Sequence, residues 1–127
     1  MATRIELTLR LPNSPGALAG VCRALADERV NILAMALDPG GTLRMVVDNH
    51  VHAAAVLRER HHQVAERDVI VLNVPNSPGA VAAALRLVAD ADVNVEHAYG
   101  GAAEAGTAAS IVLGVHDAMT AATKAGI

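Results

Sequence analysis

The sequence predicts an α+β protein built from two βαββαβ units in tandem, each an antiparallel sheet with its helices on one face. Three observations carry that prediction. Residues 11–18 read LPNSPGAL, and residues 74–81 read VPNSPGAV. The agreement extends further: displaced so that Asn13 falls on Asn76, the chain also places Ser14, Pro15, Gly16, Val30 and Asn31 on Ser77, Pro78, Gly79, Val93 and Asn94 without a gap, as an internal repeat does. Around both copies the apolar period switches between two and 3.6, as strands and helices require.

The elements follow in order. Ile5, Leu7, Leu9 and Leu11 alternate with Arg4, Glu6, Thr8 and Arg10, so the first strand has one apolar face and one wet face. Behind the first NSPG, Leu18, Val21, Cys22 and Leu25 stand at i, i+3, i+4 and i+7 and define an amphipathic helix. Residues 31–37 and 43–47 read as strands joined at Asp38-Pro39-Gly40-Gly41, where glycine permits the positive φ of a tight turn. Residues 51–60 form a second helix capped by Asn49, and residues 63–66 a short closing strand.

The second copy repeats this order from residue 69. Ile70, Leu72 and Val74 hold the inner face of its first strand, but Val69 and Val71 replace Glu6 and Thr8. Its outer face must therefore be covered. A helix over 78–89 with Val81, Ala84, Leu85 and Val88 on one side, strands over 94–99 and 108–115, a longer hairpin GGAAEAGT and a helix over 118–124 complete it. The domains are residues 1–67 and 68–127. The last strand of the second copy is expected to be missing, and an open sheet edge invites a second subunit or a neighbouring strand.

Composition bounds the function. Over half the 127 residues are apolar, yet the chain has no Phe, no Trp and only Tyr99, so its core is built by interdigitating aliphatic side chains. Each half is near the size at which a lone domain is marginal. A formal charge of −3 and the missing aromatics argue against nucleic acid, which demands phosphate-neutralising charge and stacking platforms. No apolar stretch approaches a membrane span, and no signal-like segment is expected before the strand that begins near Arg4. The single Cys22 cannot form an internal disulfide and fits a reducing, cytoplasmic setting.

The repeated motif suits a helix start. Asn13 or Ser14 can cap the unsatisfied amides, Pro15 sits where its absent N–H costs nothing, and Gly16 leaves the following backbone uncovered. The amides of Gly16, Ala17 and Leu18, and of Gly79, Ala80 and Val81, are then free to receive an anion. Capping needs only one polar side chain, so Asn13 and Asn76 are surplus to it. Asn31 and Asn94 stand where each helix turns into its second strand, a place Asn also takes for its left-handed conformation.

The pattern of a strand, N-S-P-G-[AV]-[LV], an amphipathic helix, V-N-[IV] and a hairpin resembles the ACT domain, a ferredoxin-like small-molecule regulatory module, and does so over nearly the whole chain as two copies. The resemblance implies an amino acid or similar metabolite bound between paired units, where the loop of one meets the second strand of another, with sheets side by side. It places ligand contacts at Asn13, Ser14, Pro15, Gly16, Ala17, Leu18, Asn31 and Ile32. Asn76, Ser77, Pro78, Gly79, Ala80, Val81, Asn94 and Val95 repeat them. It further implies a homodimer, a regulated enzyme as partner, and no cofactor. The residue types suit a zwitterion: helix amides take the carboxylate, and an Asn oxygen or strand carbonyl takes the ammonium.

Other groups offer less. His50 and His52 are two apart and His61 and His62 adjacent, not the spacing that sets two metal ligands on one helix face. His97, beside Glu96 and near Tyr99, lies on a strand a ligand could approach. Cys22 reads as a small core residue. No nucleophile, acid–base pair or phosphate loop is evident, so an enzyme is not expected. The competing expectation is a ligand-free interaction subunit that pairs its sheets with an enzyme.

Overall fold

The computed structural model describes residues 2–126. They form two compact units, Ile5–Arg67 and, separately, the chain from Asp68 on together with residues 2–4. The first holds most of β1 (Ala2–Arg10), then α1 (Ala17–Asp27), β2 (Ile32–Leu37), β3 (Thr42–Val47) and α2 (His50–Glu59). β4 (Ala65–Pro75) begins in it and continues into the second unit, followed by α3 (Ala80–Asp90), β5 (Val95–Gly101), β6 (Ala108–Val115) and α4 (Ala118–Ala125).

In the first unit the strand order is β2-β3-β1, all antiparallel, with Leu7 opposite Met45, Leu9 opposite Leu43, and Leu37 opposite Leu43 from the other side. The face carrying Leu7, Leu9, Leu43 and Met45 packs on Val21, Leu25, Ala53 and Leu57 of the two helices. Each fully buried leucine there contributes about 2 kcal/mol. The second unit repeats the plan as β4-β6-β5, with Ile70, Leu72 and Leu113 packed on Val88, Ala118 and Ala121. Asn49 caps α2 as expected, its side-chain oxygen accepting from the His52 amide at 3.1 Å. The charged stripes of α1 and α3 close into Arg23–Asp27 and Arg86–Asp90 pairs one turn apart.

Two expectations are corrected. The strands expected at 63–66 and 69–74 are one strand, because Arg67 and Asp68 are polar without being breakers and no Gly or Pro falls between Ala65 and Val74. Glu6, expected on a wet face, is fully buried opposite Val46, itself 3% exposed. Alternation sets which face a side chain takes, not what covers that face. Among the described residues no strand follows α4, and residues 2–4 group with this unit.

The outer face of β4 is covered at Val69, which is buried, while Val71 is half-buried. On the same face the His97 ring lies where a Cβ on Gly114 would stand, its nearest atom falling 2.0 Å from that point. Tyr99 stacks beside it, ring centroids 6.1 Å apart. His97 thus helps cover the sheet, its ring lying over Gly114, where any side chain would displace it. Among the described residues no helix is long and apolar enough to cross a membrane.

Candidate functional site

Each NSPG folds as a turn and not as a side-chain cap. The Ala17 amide donates to the Ser14 carbonyl at 3.3 Å, with Pro15 and Gly16 between them and Gly16 at φ 84°. Proline first and a positive-φ residue second is the chemistry of a type II turn. Gly16 is therefore the N-cap of α1, and neither Asn13 nor Ser14 caps it through a side chain. The second copy matches, with Ala80 donating to Ser77 at 3.2 Å and Gly79 at φ 86°.

This geometry decides which amides remain available. Ala17 is taken by the turn, correcting the expectation that it faces outward, and the first helical bond runs from Gly20 to Gly16 at 2.8 Å. The amides of Gly16, Leu18 and Ala19 have no partner among the described residues. All three residues line a hollow of about 840 Å³ together with Asn13, Ser14 and Asp38.

The walls of that hollow come from the far end of β2 and its turn. β1 and β2 run the same way, so the chain leaving β2 returns beside the chain leaving β1. Leu11 donates to the Gly41 carbonyl at 2.8 Å, and Gly41, at φ 90°, sits so close that a Cβ would meet the Leu11 oxygen at 2.8 Å. Met35 and Leu37, both 46% exposed, and half-buried Cys22 give the apolar side. Cys22 therefore belongs to the hollow and not, as expected, to the core.

Asp38 is the functional candidate that sequence reasoning missed. Its carboxylate accepts from the Thr42 amide at 3.0 Å and meets Arg44 at 3.5 Å. The Thr42 amide above all holds its carboxyl below the ordinary aspartate value, helped by the Gly40 amide and Arg44 against a desolvation effect that opposes them. In the sequence Asp38 read only as a turn residue. The parallel course of β1 and β2 was the available sign that this turn would stand beside the NSPG loop.

The structure separates other predicted contacts. Pro15, Asn31 and Ile32 are not among the residues lining this hollow. Asn31 precedes β2, at the end of the strand away from Met35 and Leu37, and its backbone is tied to Asp48: its amide donates to Oδ1 at 3.0 Å and its carbonyl accepts from the Asp48 amide at 3.0 Å. One unit thus does not bring its own loop Asn and strand Asn together. In the second copy Asn94 lines a separate hollow of about 330 Å³ with Glu96, Asp117 and Lys124, and Val95 pairs with Val115.

Asn76 has a different task from Asn13. Its side-chain amide donates to the carbonyls of Gly106 at 2.9 Å, Ala103 at 3.1 Å and Glu104 at 3.4 Å, and its backbone amide to Thr107 at 3.1 Å. It is an anchor for the β5–β6 hairpin. Asn13 makes no hydrogen bond among the described residues. Among those residues no group of three His, Cys, Asp or Glu is placed to hold a metal ion.

Comparison with known proteins places this geometry in a family context. Residues 5–65, the segment that builds the first hollow, match the family model of the ACT domain. No curated protein matches the chain. A crystal structure of a Bacteroides thetaiotaomicron protein superposes with a TM-score of 0.86 at 27% identity, covering 96% of this chain and 85% of that one. The ligand-free regulatory subunit of aspartate kinase from Thermus thermophilus gives 0.72 at 18% identity, covering 98% and 92%. The corresponding subunit from Thermus flavus gives 0.67 at 19% identity, covering 98% and 94%. At such identities the two aspartate kinase subunits establish a shared fold over nearly the whole chain.

Proposed function

We propose that the protein is an amino-acid-sensing regulatory protein of two tandem ACT units that modulates a partner enzyme, and that the first NSPG loop takes the ligand. One observation carries the reading. Residues with unpartnered helix-start amides, the unengaged Asn13 side chain and the Asp38 carboxylate all line one hollow with an apolar wall. Amides at a helix start receive a carboxylate, the Asp38 carboxylate or the Asn13 oxygen receives an ammonium, and Met35 and Leu37 receive a small apolar side chain. Three charged hydrogen bonds at about 2 kcal/mol each, less the cost of ordering the ligand, give the modest affinity a metabolite sensor uses. The likeness to regulatory subunits supports a regulatory role over a catalytic one.

The test is a thermal-shift and equilibrium-dialysis panel over the twenty amino acids. Retention of one of them by the intact chain, lost in Asn13→Ala, is the expected result. Retention of none leaves the second reading, an interaction subunit without ligand. A specific feature favours that alternative: β2 is an edge strand of its unit, and Leu33, Met35 and Leu37 on it are about half exposed. Such an edge suits pairing with another copy or with an enzyme. Sedimentation that shows a dimer dispersed by Met35→Lys would support the homodimer.

A further inference from the structure

A second hollow of the first unit, about 510 Å³, has no part in the reading above. Its polar lining consists of donors from three segments: Thr8 and Arg10 of β1, Thr42 at the start of β3, and His61, His62 and Gln63 after α2. No carboxylate lines it, in a chain where Asp and Glu outnumber Lys and Arg. Glu59, at the end of α2, is exposed and does not line it, and three further acids are engaged or buried. Asp38 meets Arg44 at 3.5 Å, Glu66 meets Arg58 at 3.2 Å, and Glu6, two residues before Thr8, is fully buried.

The segment bearing the histidines is held in place. The His61 amide donates to the Arg58 carbonyl at 3.0 Å and the His62 amide to Leu57 at 3.1 Å, while Arg58 also donates to the Val64 carbonyl at 2.9 Å. Arg10 is fixed from the other side by donating Nη2 to the Gly40 carbonyl at 2.6 Å, which leaves the rest of its five-donor fork available. A neutral imidazole donates one N–H and a charged one two, so both histidines serve an anion in either state. Leu9, Val64 and Ala65 add an apolar side.

We propose that this hollow binds a small phosphate-bearing metabolite, with the phosphate at Arg10, His61, His62 and the threonine hydroxyls and the organic part against Leu9 and Val64. A tetrahedral dianion uses donors converging from three segments better than a planar carboxylate does, and Arg presents the fork that matches it. The site shares no lining residue with the amino-acid hollow.

The test titrates the full chain with inorganic phosphate and with propyl phosphate, against sodium chloride at matched ionic strength, reading melting temperature and phosphorus-31 line width. Both probes are expected to bind, propyl phosphate more tightly. Arg10→Gln and the double variant His61→Gln/His62→Gln should each weaken binding about tenfold or more, as loss of a charged hydrogen bond does. Arg86→Gln, a charge-matched change in the second unit, and Asn13→Ala should leave it intact. The double variant keeps the test decisive if Arg10→Gln loosens the hairpin it holds. A phosphate response no greater than that of chloride, or equal weakening by Arg86→Gln, overturns the site. Propyl phosphate binding no tighter than phosphate overturns the metabolite.

Discussion

At residues 14–17 and again at 77–80 the chain makes the same turn, with glycine at φ 84° and 86°, yet among the described residues Asn13 makes no hydrogen bond while Asn76 holds three carbonyl oxygens. The difference extends to the strand opposite. Under the repeat's register, Met35 and Leu37 in the first copy correspond to Ala98 and Gly100 in the second. A hollow with an apolar wall stands beside the first loop. Beside the second, the wall residues have shrunk and a longer hairpin is bound to the loop. Identical backbone therefore does not make identical sites, because what a turn can bind depends on whether the chain has already supplied its partners.

The sharpest way to break this comparison is at its glycine. Gly100, at φ 153°, lies so near β6 that a Cβ would meet the Ser110 carbonyl oxygen at 2.1 Å. Gly100→Ala should lower stability by about 3 kcal/mol through backbone displacement, whereas Leu37→Ala at the corresponding exposed position should change stability little and weaken amino-acid binding. Denaturant unfolding of both variants checks the pair. Equal losses would mean the two strand ends are more alike than the structure shows.

A smaller effect tests the two asparagines. Asn76→Ala removes the hairpin's anchor and should cost about 1–2 kcal/mol, with faster hydrogen exchange at residues 103–107. Asn13→Ala should stay within about 0.5 kcal/mol of the parent while abolishing the amino-acid response. Reversal of these two results would move the ligand to the second loop.

Smaller still, the second helices of the copies carry different caps. Asn49→Ala should cost about 1 kcal/mol, visible as fraying of α2. Asp117 caps α4 by accepting from the Thr120 amide at 3.3 Å, and Thr120, through its side chain first and then its amide, holds the Asp117 carboxyl below its ordinary value. A carboxyl lowered on folding stabilises fully above its unfolded value and loses that contribution as pH falls through the folded one. Strong acid should therefore loosen α4 before α2, whose Asn49 cap does not titrate. Amide shifts followed by NMR from neutral to acid solution would show the order.

Much of this molecule was legible in its residues. The repeat, the four helices and the strands at 31–37, 43–47, 94–99 and 108–115 followed from apolar period and turn chemistry, because those are local properties. The Asn49 cap was legible for the same reason. The joining of residues 65–75 into one strand was not, since a charged Arg67-Asp68 step looks like a boundary although it breaks nothing. Burial of Glu6 and the place of Cys22 depend on what packs from elsewhere in the chain. The candidate site was half legible: NSPG marked the loop, but Asp38, Met35 and Leu37 enter only through the course of β2. Asn31 stands away from the loop of its own unit, so only the loop of another unit could meet it, and a sequence repeat carries no information on that pairing.

The grouping of residues 2–4 with the unit that begins at Asp68 bears on how the protein is made. Those residues leave the ribosome long before their neighbours in that unit exist, so they must wait, extended and unsatisfied, through synthesis of the whole first unit. Contacts so distant along the chain close slowly. The second unit should consequently be the last to mature.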